Sequence, residues 1–444
     1  MLHVPWQDES LMLHGCTSYE ECYHTLKEGY PSLRGSVERE LHRKQMTKET
    51  DKKVEEILKK KEQKKNVKED TNDGSNTDAA PVTNYDDEST DLLDSLRKNT
   101  SIKTEDELKN YVDNMSDDQL RLYEDMRMNM EHVSRHRKKQ CTCDQLRPLK
   151  MFMFGGPGAG KSYVITALMG WAYVQTVVMK NPVGILLAAP TGIAADSVGG
   201  VTLHKLWKLP VSSSTSRNKV YIPYTNLSDD DRCRMKAEFA NVCGFIMDEV
   251  SMVTNAMLMH IHLRLQEVFD SDKVFGGISI LSSGDFLQLG PPFGDPSFET
   301  LTPRQVQIVS GNSGVPTSVD LWGTFAFHKL NNNHRCAGVE NEIWRGIIER
   351  ASLGNLNNND VEILSKRLIN TVDCTTKEEK LDVVTSNFIK AVVNKEDPLC
   401  LNPKRSMCAE FNNAVMIKRD EKPVKIGSME AYYCPKAKKK KVII

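Results

Sequence analysis

Short apolar runs and stretches with helical spacing of apolar residues alternate along the chain between residues 150 and 327. Near-continuous apolar runs of about four to six residues are typical of strands that are buried on both faces. We therefore predict an α/β fold, in which a parallel sheet is covered by helices on both faces. The predicted strands are Met151–Phe154, Gly184–Ala188, Val242–Met247 and Ile278–Leu281.

Apolar residues are sparse before residue 113. Lys and Glu dominate the segment from Ser36 to Asp70, which predicts a single solvated helix, and the polar segment from Thr71 to Ser89 predicts a linker. Ser116 and Gln119 have the spacing of a capping box, so we predict that a helix begins there. Apolar residues then recur at helical spacing and predict a core face: Leu120, Tyr123, Met126, Met130 and Val133.

Charge and composition exclude some classes of protein. Lys+Arg is 59 and Asp+Glu is 60, so the formal net charge is −1, which excludes a histone-like polycation but allows a local basic groove. No apolar run reaches the roughly 18 residues of a membrane span, so we expect no membrane partner and a location inside the cell. The basic tail from Lys436 to Lys441 is either a nuclear import or phosphate-binding patch or a solvated end; we expect the nucleus.

The 11 cysteines are scattered, but two of them lie near a pair of histidines. His132 and His136 share one helix face, and Cys141 and Cys143 follow, so these four side chains could bind zinc. The Cys-x-Cys spacing is unusual for zinc, and the basic segment between the two pairs is typical of a solvated loop. From the sequence we favour a loop without a metal.

The segment Gly155–Ser162 reads G-G-P-G-A-G-K-S and matches the G-x-x-x-x-G-K-[ST] pattern, called the P-loop here, with a predicted strand before it and a predicted helix (Tyr163–Val174) after it. Glycines let the backbone N–H groups curl around a phosphate, and the following helix N-terminus adds positive potential. We expect Lys161 to contact the β- and γ-phosphates and Ser162 to hold Mg²⁺. The expected nucleotide-binding residues are Gly155, Gly156, Pro157, Gly158, Ala159, Gly160, Lys161 and Ser162.

Carboxylates follow the strand that ends at Met247. Asp248 is placed to hold Mg²⁺, and Glu249 is placed to polarise the attacking water. Gln288, in the turn after the strand Ile278–Leu281, could sense the γ-phosphate through its amide. These three side chains and the P-loop together predict a nucleoside triphosphatase.

A GTP-binding switch is an alternative, because the apolar run Ile389–Val393, which we predict as a strand, is followed by Asn394–Asp397 in the N-K-x-D pattern of guanine recognition. This pattern lies more than two hundred residues after the P-loop, and no D-x-x-G follows the magnesium strand. We therefore favour another class of P-loop protein.

Two further segments point to that class. Ala189–Ala195 (A-P-T-G-I-A-A) and Gly200–His204 (G-V-T-L-H), together with Asp248–Met252 and Gly284–Leu289, resemble the Pif-one family of superfamily-one DNA helicases in order and spacing. Asn333–Arg335 resembles the family's next motif, whose arginine reaches the γ-phosphate from a second motor domain. Gln119 fits the family's adenine-contacting glutamine.

The resemblance implies a RecA-like P-loop fold and an ATP-dependent helicase that moves 5′ to 3′ and binds single-stranded and duplex DNA, with ATP and Mg²⁺ as cofactors. Family roles include DNA repair, recombination and telomere maintenance. The implied catalytic residues are Lys161, Asp248, Glu249, Gln288 and Arg335. The implied DNA contacts are Pro190, Thr191, Gly192, Thr202 and His204.

The ends of the sequence refine this expectation. The segment from Val4 to Tyr23 is similar to segments that precede such helicases in Helitron-type mobile elements, and two later family motifs, an H-K-[ST]-Q-G type and one ending A-L-S-R, do not occur. The alternative is therefore a truncated ATP- and DNA-binding remnant without unwinding activity. A separately encoded C-terminal helicase portion would be a possible partner, and the sequence gives no oligomeric state. The predicted domains are an N-terminal segment (1–35), a charged helix and linker (36–112), a first RecA-like domain (113–328) and a partial second RecA-like domain (329–444).

Overall fold

The computed structural model describes residues 50–59, 92–143, 146–210, 221–311, 320–335, 338, 341–369, 374–419, 430–434 and 439–443. The N-terminal resemblance and the predicted linker lie outside these residues. The described part of the predicted charged helix, residues 50–59, is helical (α1). The chain divides into two compact units between Gly354 and Asn355. The predicted domain boundaries, and the partial second RecA-like domain among them, remain predictions.

A six-stranded parallel sheet forms the centre of the first unit. Its strand order is β3-β2-β4-β5-β1-β6, and all the neighbouring strands pair in parallel. All residues of β2, β4 and β5 are buried. This confirms the predicted α/β class and the four predicted strands. The strands are β1 (Lys150–Phe154), β2 (Gly184–Ala189), β3 (Val201–Thr202), β4 (Val242–Met247), β5 (Ser279–Gly284) and β6 (Ala326–Lys329).

Helices connect these strands. Short 3-10 turns cover Val250–Met252, Val274–Gly277 and Trp322–Thr324, and a π-helical turn covers Val174–Val178. None of the helices in the described ranges is long and apolar enough to cross a lipid bilayer. The helices are α2 (Leu92–Asn99), α3 (Glu105–Asp113), α4 (Asp117–Arg137), α5 (Lys161–Tyr173), α6 (Gly192–Ser197), α7 (Leu203–Trp207), α8 (Asp229–Glu238), α9 (Asn255–Phe269), α10 (Pro303–Ser310) and α11 (Glu342–Ser352).

Helix α4 packs on the sheet through the predicted apolar stripe. Four of the five stripe residues are buried, and Leu120 is half-buried. Gly244 of β4 makes room for the stripe, because a Cβ atom there would lie 2.7 Å from the Met130 sulfur. The capping box is also present, since the Ser116 N–H donates to the Gln119 side-chain oxygen at 3.1 Å. Helix α4 therefore lies in a fixed register over β4 and β5.

The described residues of the second unit form three helices and a pair of antiparallel strands: α12 (Asn358–Ser365), α13 (Lys377–Val393), α14 (Arg405–Lys418), β7 (Glu430–Cys434) and β8 (Lys439–Ile443). The predicted strand Ile389–Val393 is wrong, because these residues form the last turns of α13. The apolar run continues a helical face that begins earlier in α13, where Phe388 packs edge-to-face on Phe411 of α14, with ring centroids 5.3 Å apart. Asn394 caps α13, so the N-K-x-D pattern lacks its strand.

Candidate nucleotide-binding site

Three neighbouring strands, β4, β5 and β1, carry the candidate nucleotide residues where they end. The P-loop follows β1, Asp248 follows β4 and Asp285 follows β5. Because the strands are parallel and adjacent, their carboxyl ends meet at one edge of the sheet. The structure therefore brings together the P-loop and the carboxylates from strands that are far apart in sequence.

The P-loop backbone depends on two glycines. Gly158 and Gly160 both have φ of +85°, in the left-handed region that side chains with a Cβ atom rarely adopt. A Cβ atom on Gly158 would also lie 2.6 Å from the Asn333 side-chain oxygen and 2.7 Å from the Arg335 Cβ. The loop can therefore curl toward a phosphate group only with glycine at this position.

Lys161 lies across the P-loop backbone. Its Nζ donates to the carbonyl oxygens of Gly155 at 2.6 Å and Gly156 at 3.3 Å. Burial lowers the pKa of Lys161, while the carboxylates of Glu249, Asp285 and Asp248 oppose this shift. The ammonium group therefore lies on the P-loop backbone, within electrostatic reach of three acidic side chains.

Asp248 and Glu249 form a pair of neighbouring carboxylates, of which the first is buried and the second has a strained backbone. Asp248 is 5% exposed, and its N–H donates to the Ala188 carbonyl of β2 at 2.9 Å. Burial raises the pKa of the Asp248 carboxyl group, and burial and the neighbouring Asp248 charge raise the pKa of Glu249. Glu249 has a φ of +51°, a conformation that costs a non-glycine residue free energy and often occurs at functional sites.

Asp285 is a site residue that the sequence reasoning missed. Its side chain is 3% exposed, and its carboxylate accepts a hydrogen bond from the Leu287 N–H at 3.0 Å. Its charge acts on both Lys161 and Glu249. The available signal was its position four residues after the predicted strand Ile278–Leu281. Gln288 lies exposed in the same turn, with its N–H donating to the Asp285 carbonyl at 3.0 Å.

Gln119 connects helix α4 to the P-loop. Its side chain is buried, and its Nε2 donates to the Ala159 carbonyl at 3.3 Å while its Oε1 caps the helix start at Ser116. The structure therefore places Gln119 beside the P-loop, and the adenine contact that the resemblance implies stays a prediction. The structure also gives the amide group a second role, because this side chain fixes the beginning of α4 to the loop.

The segment after β6 also lies against the P-loop. The Asn333 Nδ2 donates to the Pro157 carbonyl at 3.1 Å, and the His334 N–H donates to the Gly158 carbonyl at 2.8 Å. The Asn333 Oδ1 accepts from the Arg335 N–H at 3.1 Å, and the Arg335 side chain is exposed. Arg335 therefore lies next to the P-loop, in the first of the two compact units.

The residues implied to contact DNA lie at the ends of β2 and β3. Ala189 pairs with Thr202 across these strands, so Pro190 and Thr191 lie beside Thr202. Both threonine hydroxyls are helix caps: Thr191 accepts from the Ala194 N–H at 3.2 Å, and Thr202 accepts from the Lys205 N–H at 3.3 Å.

Two more residues complete this group. Gly192 is exposed at the start of α6, and His204 is half-buried, with a pKa lowered by burial. The structure thus brings all five residues, Pro190, Thr191, Gly192, Thr202 and His204, to one edge. Two strands, β4 and β5, separate them from β1 and the P-loop.

The residues that follow β1 and β4 fit Mg²⁺ and a nucleotide. Mg²⁺ prefers oxygen ligands, and the Asp248 carboxylate and the Ser162 hydroxyl are such donors. Ser162 is exposed in the first turn of α5, directly after the glycine-lined bend. The bend supplies backbone N–H groups, and Lys161 supplies the positive charge that a polyphosphate needs.

Comparison with known proteins agrees with this geometry. Residues 119–345, just over half of the chain, match the sequence profile described as PIF1-like helicase. The human protein named ATP-dependent DNA helicase PIF1 is 29% identical over 146 residues, which are 33% of this chain and 20% of that protein. A protein of the same name from Bdellovibrio bacteriovorus is 30% identical over 141 residues, 32% of this chain and 29% of that one.

Solved structures give weaker similarity. The crystal structure of Pif1 helicase from Candida albicans has a TM-score of 0.41 at 18% identity, covering 68% of this chain and 56% of that one. The chain spans less than a third of the length of the two curated relatives above.

Proposed function

This chain belongs to the PIF1-like helicase family, and we propose that it hydrolyses ATP and uses the released free energy to move along single-stranded DNA and separate duplexes. One observation carries this proposal. Lys161, three carboxylates and the Asn333–Arg335 segment come together at the ends of β1, β4, β5 and β6, where they would hold a nucleoside triphosphate.

We assign the steps of hydrolysis to the residues of this edge. Ser162 and Asp248 would hold Mg²⁺, which when bound neutralises charge on the phosphate oxygens. Glu249 would accept a proton from the attacking water, since a carboxylate with a raised pKa is a better base. Lys161 and Arg335 would stabilise the negative charge that develops on the phosphoryl group. Gln288 would contact the γ-phosphate, and Gln119 the adenine.

Strand β2 is the proposed connection between nucleotide and DNA. The Asp248 N–H is hydrogen-bonded to Ala188, one residue before the end of β2, and Pro190 and Thr191 follow directly. A movement of Asp248 when ATP binds would therefore reach the β2–β3 edge, where the DNA backbone would lie along Gly192, Thr202 and His204. We propose 5′-to-3′ movement, as the family resemblance implies.

We also propose the domain division at residues 328 and 329, and a nuclear location directed by the basic tail. Roles in repair, recombination and telomere maintenance are proposed from the family alone. A fluorescent fusion with and without Lys438–Lys441 would test the location, because loss of nuclear signal is expected only without the tail.

ATPase measurements with and without single-stranded DNA test the central proposal. We expect DNA to stimulate hydrolysis by the full chain and Lys161→Ala to abolish both ATP binding and hydrolysis. Lys109→Ala, which removes an exposed lysine of α3, is the matched control and should behave as the wild type. ATP binding without any stimulation by DNA would contradict a DNA motor.

Two further measurements separate the alternatives. A tailed duplex should be separated in the presence of ATP, whereas a remnant that only binds ATP and DNA would leave it intact. Competition between ATP and GTP should favour ATP or show no preference. A strong preference for GTP would instead support a GTP-binding switch.

A further inference from the structure

A cluster of histidine and cysteine side chains lies at the C-terminal end of α4, away from the P-loop end of the same helix. The His132 Nε2 lies 3.1 Å from the Cys143 sulfur and 3.3 Å from the Cys141 sulfur. The two sulfurs are 2.9 Å apart, and the His136 Nδ1 is 3.4 Å from the Cys143 sulfur. All four residues are half-buried, so the cluster is shielded yet reachable from solvent.

These distances are those of a ligand set. The donor atoms of His132, Cys141 and Cys143 all lie within 4.8 Å of one another. With Zn–S near 2.3 Å and Zn–N near 2.0 Å, the ligands of a tetrahedral zinc ion lie roughly 3.3–3.8 Å apart. The His132–Cys141 and His136–Cys143 separations of 3.3 and 3.4 Å fall in this range, and the His132–Cys143 separation of 3.1 Å lies just below it. The two sulfurs, at 2.9 Å, would have to move apart by about 0.9 Å to share one ion, which rotation of the cysteine side chains can supply.

The backbone brings the cysteines back to the helix. The chain reverses after α4, where Lys139 has a φ of +56°, its N–H donates to the His136 carbonyl at 3.0 Å, and the Gln140 N–H donates to the Arg135 carbonyl at 2.8 Å. This turn compensates for the short Cys-x-Cys spacing, which the sequence alone made unfavourable. Cys141 and Cys143 therefore face the histidines from the following loop.

Contacts within and after the cluster hold it in place. Between its histidines and its cysteines, Arg137 donates to the Val242 carbonyl at 2.9 Å, and Lys138 donates to the Pro182 carbonyl at 2.7 Å. After it, the Leu149 N–H donates to the Asn129 side chain at 2.7 Å. The basic residues of this segment are thus partly used to fix α4 to the sheet, and the cluster is pre-organised.

We propose that His132, Cys141 and Cys143, with His136 as the fourth donor, bind one Zn²⁺ ion. Two thiolates and two imidazoles select zinc over Mg²⁺ and Ca²⁺, which prefer oxygen. Four protein ligands leave no open position, so the ion is structural and not catalytic. It would join the end of α4 to the chain that enters β1, the strand before the P-loop. This site is independent of the proposed helicase activity.

Metal content of the purified full chain tests the proposal. We expect one equivalent of zinc, measured by mass spectrometry of the metal, and loss of this equivalent in Cys141→Ser and in His132→Gln. Cys400→Ser, which replaces a half-buried cysteine of the second unit, is the matched control and should keep it. Equal zinc content in all four proteins, or a wild type without zinc, would overturn the proposal.

A second measurement does not depend on the variants folding. Co²⁺ added to the metal-free wild type should give the visible ligand-field bands of a tetrahedral site and the charge-transfer band of cobalt thiolates. Chelation should lower the melting temperature of the wild type and of Cys400→Ser, because an ion that binds only the folded state stabilises it. Absence of the cobalt bands, or an intact mass reduced by two hydrogens through a Cys141–Cys143 disulfide, would overturn the proposal.

Discussion

The two groups of strand ends at the C-terminal edge of the sheet differ in what their polar side chains do. At β4 and β5, Asp248 and Asp285 are buried carboxylates, and burial shifts the pKa of Asp248 upward, which costs the folded state free energy. At β2 and β3, Thr191 and Thr202 cap short helices, which stabilises the folded state. Asp285 has a structural contact, the hydrogen bond from the Leu287 N–H, but the burial of the Asp248 carboxylate costs stability, whereas both threonines are explained as helix caps.

This difference decides how each group can be tested. Where a side chain costs stability, its removal should damage activity and spare or improve the fold. Where a side chain caps a helix, its removal damages the fold, so a functional role must be tested with variants that keep the cap. The following predictions use this contrast.

Arg335→Ala should strongly lower the rate of ATP hydrolysis. Arginine side chains that contact the transferred phosphoryl group contribute on the order of 10³ or more in rate, and Arg335 lies against the P-loop. We expect kcat for ATP hydrolysis to fall by about this factor, with ATP affinity changing much less, in a steady-state ATPase assay. Arg304→Ala in α10 is the control, and equal rates in both variants would exclude Arg335 from the site.

Glu249→Gln should lower hydrolysis by about 10²–10⁴ and preserve ATP binding, because the amide cannot accept the proton. The raised pKa of Glu249 also sets the sign of the pH dependence. As the pH falls, Glu249 becomes protonated and the wild type loses activity. Because the pKa of Glu249 is raised, this loss should occur at a higher pH than for a glutamate with the ordinary pKa of 4.5. The remaining activity of Glu249→Gln should lack this acidic limb. A wild-type rate in Glu249→Gln, with Glu299→Gln as the control, would remove this residue from the mechanism.

Asp248→Asn should stabilise the protein while abolishing magnesium-dependent hydrolysis. The folded pKa of Asp248 lies above its ordinary value of 3.8, so the ionised carboxylate destabilises the fold as pH rises through that folded pKa. Thermal melts should show a higher melting temperature for Asp248→Asn at neutral pH and a shrinking difference toward acid. Asp125→Asn, on the exposed side of α4, should show no such pattern. A less stable Asp248→Asn would mean that the carboxylate has a structural role.

Thr191→Ala should lower the free energy of unfolding by about 1 kcal/mol, the usual effect of losing an N-cap. Thr191→Ser keeps a hydroxyl that can cap α6 and should restore most of this stability in urea denaturation. Affinity for single-stranded DNA, measured by fluorescence anisotropy, then separates the two roles. If Thr191→Ser binds DNA as the wild type does and Thr191→Ala loses affinity only in proportion to its unfolded fraction, the threonine is a cap alone.

Gly192→Ala should have the smallest effect on stability and still weaken DNA binding. No heavy atom lies within 4 Å of a Cβ atom built there, so we expect a change within about 0.5 kcal/mol. A methyl group at this exposed position would obstruct a phosphodiester backbone that passes close to β2. Gly290→Ala, an equally open position after β5, is the control. Unchanged DNA affinity in Gly192→Ala would place the DNA elsewhere.

The sequence predicted the fold well where local pattern and burial coincide. The four strands with continuous apolar runs are confirmed, because each lies inside the sheet. Strand β3 has only two residues, and β6 is an edge strand with mostly exposed side chains, so neither has an apolar signature. The run Ile389–Val393 was wrong as a strand because a short apolar run cannot be distinguished from one face of a helix.

The candidate site was predictable where a motif fixes the backbone and less so where folding brings distant residues together. The P-loop has its pattern in consecutive residues. Asp285 can be recognised as a site residue only when the strand order, with β5 between β4 and β1, is known. The contact of Asn333 with the P-loop likewise requires that β6 lies beside β1. The His and Cys cluster depends on a reversal at Lys139, which spacing alone does not show.

The close approach of Asn333 and Arg335 to Gly158 links two positions that are far apart in the sequence. A larger residue at 158 would displace the segment that follows β6. Substitutions at position 158 and at position 333 should therefore occur together during evolution. In an alignment of relatives, substitutions at 158 should be rare and should coincide with shorter side chains at 333. Because of the same packing, a nucleotide bound in the P-loop would displace Asn333 and Arg335 and so move the chain that follows β6.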